Sequence, residues 1–321
     1  MNKLRCAVLD DYQHAALTSA DWSSIARDVE VRAVHHHIPD EQELAGTIGD
    51  CHIVVLMRER TPFAASLFER LRHLKLLVTT GMRNAAIDLA AAQAHGVVVC
   101  GTSSRSEPPA ELTWALILGL ARHLVEESSA LGRNGPWQST VGADLSGRTL
   151  GLLGFGKIGS KVARVAHAFD MSVTAWSHNL TAERTAAAGV RLAASREQLL
   201  EESDFVSIHL VLSDRTRGLL GADQLRHMKP SAYLINTSRA AIVDQRAMAQ
   251  ALREGWIAGA GVDVFDEEPL PKDHELRTAP NLLATPHLGY VTRANYGTYY
   301  REAVEDIGAF LNGSPIRVLT D

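Results

Sequence analysis

Thr149-Leu150-Gly151-Leu152-Leu153-Gly154-Phe155-Gly156-Lys157-Ile158-Gly159 is the stretch that decides the fold of this chain. Leu150, Leu152 and Leu153 read as a buried strand, and residues 160–169 carry helical periodicity. Between them Gly154, Gly156 and Gly159 form Gly-x-Gly-x-x-Gly. Glycine supplies 24 of 321 residues, so the spacing alone lies within reach of chance. The strand before it and the helix after it make it specific. Gly154 permits the tight turn, Gly156 lets a pyrophosphate approach the backbone, and Gly159 lets helix and strand pack closely. The helix start offers N–H groups and the positive end of its dipole to the phosphates. A dinucleotide is therefore expected on Gly154, Gly156, Lys157, Ile158 and Gly159.

On either side, apolar β-branched runs alternate with helical patterns. Residues 5–9, 29–33, 52–56, 74–79 and 97–99 read as strands, with helical stretches such as 62–71 and 87–94 between them. They make one open α/β unit near residues 1–102. A second series runs through 149–153, 172–176, 190–192, 205–209, 232–236, 259–262 and 282–284. A long helix, about 110–124, and a polar segment with Gly132, Gly135, Pro136 and Trp137 separate the two. The last helical pattern, 293–311, is expected to pack back on the first unit, making that domain discontinuous (1–102 with 290–321, around 103–289). Two such halves would leave a cleft between them, the usual place for a ligand.

Composition narrows the function. Hydrophobic content of 46% and charged content of 21% fit a globular protein with a full core. A net charge of −5 gives no global attraction to nucleic acid or anionic lipid. The scattered tryptophans make no stacking platform. No stretch approaches a membrane span, and the apolar run that starts near Lys3 and Arg5 stops at Asp10-Asp11, too short for a signal peptide. Cys6, Cys51 and Cys100 lack metal-ligand spacing and point to a reducing compartment, so the expectation is a cytoplasmic protein without nucleic-acid or membrane partners. His35-His36-His37 lie next to one another, and adjacent strand residues face opposite ways, so no metal is expected there.

Three segments after the glycine turn end strands in reactive side chains. Arg239, in Asn236-Thr237-Ser238-Arg239, can grip a carboxylate through two parallel hydrogen bonds, or cap a surface loop. Asp263 and Glu268 lie in Asp263-Val264-Phe265-Asp266-Glu267-Glu268-Pro269, where consecutive acids are more often a solvated loop. His287 lies in Thr285-Pro286-His287-Leu288-Gly289, and imidazole is the side-chain type suited to proton exchange near neutral pH. Behind a dinucleotide motif they make an anion clamp, a proton donor and a carboxylate to tune it.

These motifs resemble, over nearly the whole length, the D-isomer-specific 2-hydroxyacid dehydrogenases, a family that includes phosphoglycerate dehydrogenase and glyoxylate/hydroxypyruvate reductase. Gly81, Ile87-Asp88-Leu89, Ala110-Glu111, Thr216-Arg217-Gly218 and Val243-Asp244 join the match. The resemblance implies a Rossmann-type NAD(P)-binding domain, a smaller flavodoxin-like α/β substrate domain, a homodimer built near the 110–124 helix and Trp137, and a small 2-hydroxy or 2-oxo acid substrate. It further implies that Arg239 binds the substrate carboxylate, that Glu268 pairs with His287, and that His287 exchanges the proton with the 2-oxygen. Asp263 would hold the nicotinamide carboxamide. Val211, Thr216, Thr237, Ser238 and Gly289 would line the cofactor, and backbone at Met82 and Arg83 would meet the carboxylate. The same fold also serves nucleotide-sensing corepressors, which stand as the alternative.

The chain departs from the family pattern in places. Ser177 replaces the acid that bonds the ribose 2′-OH in NAD users, leaving Ser177, His178 and Asn179 at that position and both NAD and NADP open. Ala240 replaces a usual Gly, and Val211 a frequent Pro. Arg83 stands where Gly is common, and Arg58 and Arg60 lie in a segment resembling the phosphate-proximal part of phosphoglycerate dehydrogenase. The three arginines raise the expectation of a second anionic group on the substrate, against a purely structural role.

Overall fold

Twelve strands build two all-parallel sheets in the computed structural model, which describes residues 3–320. The chain divides into one unit of residues 1–105 with 291–321 and another of 106–290. In the first unit the strands are β1 (Leu4–Val8), β2 (Val29–Ala33), β3 (Ile53–Leu56), β4 (Leu76–Thr79) and β5 (Val98–Gly101). Their order is β2-β1-β3-β4-β5, the flavodoxin-like arrangement. Every residue of β3 and β4 is buried, as strands covered on both faces must be. Helices α1 (Glu41–Ile48), α2 (Ala65–Arg70) and α3 (Leu89–Ala94) provide crossovers, with Asp40 and Asp88 capping the first and third.

In the second unit, α4 (Glu107–Ala121) and α5 (Leu124–Gly132) precede β6 (Thr149–Leu153), α6 (Lys157–Ala168), β7 (Ser172–Trp176), α7 (Ala182–Ala186) and β8 (Arg191–Leu192). Then follow α8 (Arg196–Glu202), β9 (Phe205–Ile208), α9 (Ala222–Arg226), β10 (Tyr233–Asn236), α10 (Gln245–Glu254), β11 (Gly259–Val262) and β12 (Leu282–Ala284). The order β12-β11-β10-β9-β6-β7-β8 reverses direction at β6, the Rossmann switch point. The chain then rejoins the first unit through α11 (Arg293–Leu311), and Val318 pairs antiparallel with Cys100 on β5.

One expected element needs correction. The helix anticipated over 110–124 starts at Glu107 and stops at Ala121. Pro108 and Pro109 sit in its first turn, where their missing N–H groups cost nothing. His123, at φ 49°, breaks the run, and the supposed polar segment begins as a separate helix, α5, with no buried residue.

Candidate active site

Strand register puts the site together. Trp176, Leu153, Ile208, Asn236, Val262 and Ala284 stand at one level across six neighbouring strands. One residue further along lie Ser177, Gly154, His209, Thr237, Asp263 and Thr285. The carboxyl edge of one sheet therefore carries every segment singled out in this unit, because parallel strands all discharge their loops on the same side.

The glycine turn shows three separate constraints. Gly154 has φ +101°, and a Cβ there would stand 2.5 Å from the His209 carbonyl oxygen. At Gly159 a Cβ would fall 2.4 Å from the Gly154 carbonyl oxygen. At Gly156 a Cβ meets nothing within 4 Å, so its bareness serves no packing within the chain. Gly156 also caps α6 without a side-chain bond, leaving the first N–H groups of a 12-residue helix for an acceptor. The residues fit a dinucleotide pyrophosphate. His209 abuts this turn, its ring against the Ser207 hydroxyl at 2.9 Å, and burial pushes it down to about 4, so it stays neutral.

His287 Nδ1 lies 2.6 Å from Glu268 Oε2, and the two side chains are 21% and 26% exposed. Both come from loops, one after β12 and one after β11. His287 has φ 53°, and its N–H donates to Thr285 O at 2.9 Å. What holds this left-handed bend is Asp263, 1% exposed. Its Oδ1 accepts from Thr285 Oγ1 and Leu288 N, both at 2.6 Å, and its Oδ2 from Gly289 N at 2.8 Å. Burial pushes its carboxyl up, against the pull of those donors and of His287. Thr285 was not anticipated in this role. Its partner lies 22 positions earlier, a distance no local pattern encodes.

On the β10 loop, Ser238 Oγ donates to Leu210 O at 2.5 Å and Arg239 Nη1 to Ser238 O at 2.9 Å. Thr237 and Thr113 share a hydroxyl contact of 2.9 Å. Thr216 Oγ1 donates to Val211 O at 2.8 Å, while Val211 itself is 72% exposed. Ser177 is half-buried, and His178 and Asn179 are exposed at the end of β7.

In the first unit the arginines separate into two kinds. Arg60 Nη1 donates to Asp10 O at 2.8 Å and stacks 4.4 Å over Tyr12. Arg58 reaches Thr80 O at 3.3 Å and Glu59 at 3.6 Å. Arg83 is exposed beside Met82, on a loop braced by Gly81 N to Thr102 Oγ1 at 3.0 Å and Asn84 Nδ2 to Thr79 Oγ1 at 2.8 Å. His35 and His37 face Asp11 and Asp10, at 3.5 and 3.2 Å. No cluster with metal-ligand geometry occurs among the described residues.

The model of the D-isomer-specific 2-hydroxyacid dehydrogenase NAD-binding domain matches residues 114–289. A glyoxylate reductase of Korarchaeum cryptofilum (strain OPF8) is 35% identical over 282 residues, covering 86% of this chain and 84% of that protein. This chain belongs to the D-isomer-specific 2-hydroxyacid dehydrogenase family. A D-3-phosphoglycerate dehydrogenase of Bacillus subtilis (strain 168) is 35% identical over 265 residues, 82% of this chain and 50% of that relative, half of whose length the chain spans. The crystal structure of phosphoglycerate oxidoreductase from Vibrio cholerae o395 superposes with a TM-score of 0.92 at 34% identity, covering 97% of this chain and 100% of that one. Membership makes the protein a nicotinamide-linked oxidoreductase acting at a hydroxyl-bearing carbon. These relatives carry enzyme names and lend no support to the corepressor alternative. No helix among the described residues is long and apolar enough to cross a membrane.

Proposed function

We propose that the protein interconverts a small 2-oxo acid and its D-2-hydroxy acid, with Arg239, Glu268 and His287 as its working side chains. The observation that carries this is the 2.6 Å pair of His287 and Glu268 on the sheet edge that also bears the glycine turn. When bound, the nicotinamide dinucleotide supplies hydride exchange at C2. Gly154, Gly156, Lys157, Ile158 and Gly159 hold its pyrophosphate, and Val211, Thr216, Thr237, Ser238, Asp263 and Gly289 its remaining length. Arg239 binds the substrate carboxylate. As the 2-oxygen gains negative charge, the imidazolium of His287 protonates it; in the reverse direction the neutral ring takes that proton back. Glu268, 2.6 Å from the ring Nδ1, fixes the orientation of the imidazole.

Ser177 removes the carboxylate that would repel a 2′-phosphate, and exposed His178 and Asn179 offer donors, which supports use of both NAD and NADP. In the first unit Arg58 and Arg60 already serve the fold, and exposed Arg83 is that unit's candidate for an anionic group. A homodimer is supported by α5, which buries no residue of its own, and by Leu131, Trp137 and Val141, exposed at 61%, 77% and 94%. Three buried free thiols suit the cytoplasm.

The test is the steady-state oxidation of NADH and NADPH with glyoxylate, hydroxypyruvate, 3-phosphohydroxypyruvate and longer 2-oxo acids. Turnover of at least one supports the reading; tight cofactor binding with no turnover on any refutes it. Equal kcat/KM for glyoxylate and 3-phosphohydroxypyruvate removes the second-anion role of Arg83.

A further inference from the structure

Gln245 opens α10 directly after its capping residue Asp244, yet its side chain is turned inward, 7% exposed. It reaches forward to the loop that follows β11. Its Nε2 donates to Val264 O at 3.3 Å, and its Oε1 accepts from Asp266 N at 3.2 Å. Only this orientation of the amide satisfies both contacts; the reverse sets N–H against N–H and oxygen against oxygen.

The two backbone groups that Gln245 holds flank Phe265, whose own N–H donates to Glu268 Oε1 at 2.9 Å. Glu268 Oε2 is the oxygen 2.6 Å from His287 Nδ1. One carboxylate oxygen is therefore set by the loop backbone and the other by the imidazole. The backbone, in turn, is set by an amide from a different helix. Reacting groups tolerate little displacement: an error of about 1 Å can cost ~100-fold in rate, and a site keeps its geometry only where neighbouring contacts lock it.

We infer that Gln245 is a positioning residue for the proton relay, acting on His287 through the Val264–Asp266 backbone and the Glu268 carboxylate. This rests on the proposed relay between Glu268 and His287.

The experiment compares Gln245→Ala with Gln245→Met, which fills similar space without the amide, each alone and in a Glu268→Gln background. Cofactor binding and melting temperature establish that the variants are folded. The expected result is a fall of about 10-fold in kcat for oxo-acid reduction with KM for the acid and cofactor affinity unchanged. The alkaline limb of the kcat profile should also move to lower pH. The far-downfield proton signal of a histidine sharing a short bond with a carboxylate should weaken in both single variants. In the Glu268→Gln background the same changes should cost less than ~2-fold, because their route is already cut. Wild-type kcat and proton signal in the folded Met variant would overturn the inference, as would an undiminished 10-fold loss on top of Glu268→Gln. If Glu268→Gln alone left activity near wild type, the relay itself would fall, and that outcome is distinct from a silent Gln245.

Discussion

Glu268 meets His287 across 2.6 Å while its other oxygen takes the amide of Phe265, so the carboxylate faces the imidazole in a fixed direction. His287→Ala and Arg239→Ala are each expected to lose at least ~100-fold in kcat/KM for oxo-acid reduction. Reduction should decline as pH rises, because the ring must carry the proton it gives. Oxidation of the hydroxy acid should climb over the same range. Steady-state profiles in both directions check this, and a flat profile for the chemical step counts against His287.

Gly154 and Gly156 should separate folding from binding. A Cβ at position 154 lies 2.5 Å from a carbonyl oxygen on a backbone of φ +101°, so Gly154→Ala is expected to destabilise by more than ~2 kcal/mol. Gly156→Ala has open space and should melt close to wild type, while its affinity for dinucleotide drops at least ~10-fold. Thermal melts and cofactor titrations measure the two effects; a Gly156→Ala protein that binds normally would falsify the pyrophosphate reading.

Asp263 accepts the amides of Leu288 and Gly289, and an asparagine can accept only on one side. Leaving a buried amide opposite a donor costs about 1–3 kcal/mol. Asp263→Asn should therefore lower the melting temperature by roughly 3–8 °C and depress kcat through the displaced His287 loop. Unchanged stability would show that those amides are not held as described.

Asp306 on α11 is fully buried, 2.9 Å from Arg317, and burial outweighs that partner to push its carboxyl from 3.8 to about 7. The folded chain thus holds this proton more tightly than the unfolded one. The associated stability is complete below about 3.8 and drains away as pH climbs to about 7. The melting-temperature advantage of wild type over Asp306→Asn should shrink by several degrees from about pH 4 to about pH 8. A constant difference would reject it.

At the end of β7, Ser177→Asp sets a carboxylate at the proposed ribose contact. NADPH kcat/KM should fall at least ~10-fold, with NADH within ~3-fold of wild type. Parallel loss with both cofactors would place Ser177 elsewhere.

Much of this was legible in the sequence. Continuous apolar runs marked the strands because parallel strands bury both faces, and the glycine spacing marked the first crossover of the second unit. The His287 and Glu268 segments were visible as polar residues closing apolar runs. The break at His123 was not, since a left-handed histidine leaves no compositional trace. Nor were Thr285 and Gln245, whose partners lie 22 and 19 residues away along the chain. The commitment of Arg60 to the Asp10 carbonyl was equally hidden, because charge alone does not say which acceptor a guanidinium finds.

Six strands halt at a shared rim, from Trp176 to Ala284. Lengthening a loop beyond that rim alters one attachment and leaves its neighbours in place. Adding a residue inside a strand instead slides everything after it by about 3.3 Å and turns its side chains to the opposite face. The molecule can therefore be re-tailored for a new acid at its loops, one at a time, whereas its strand lengths are not negotiable.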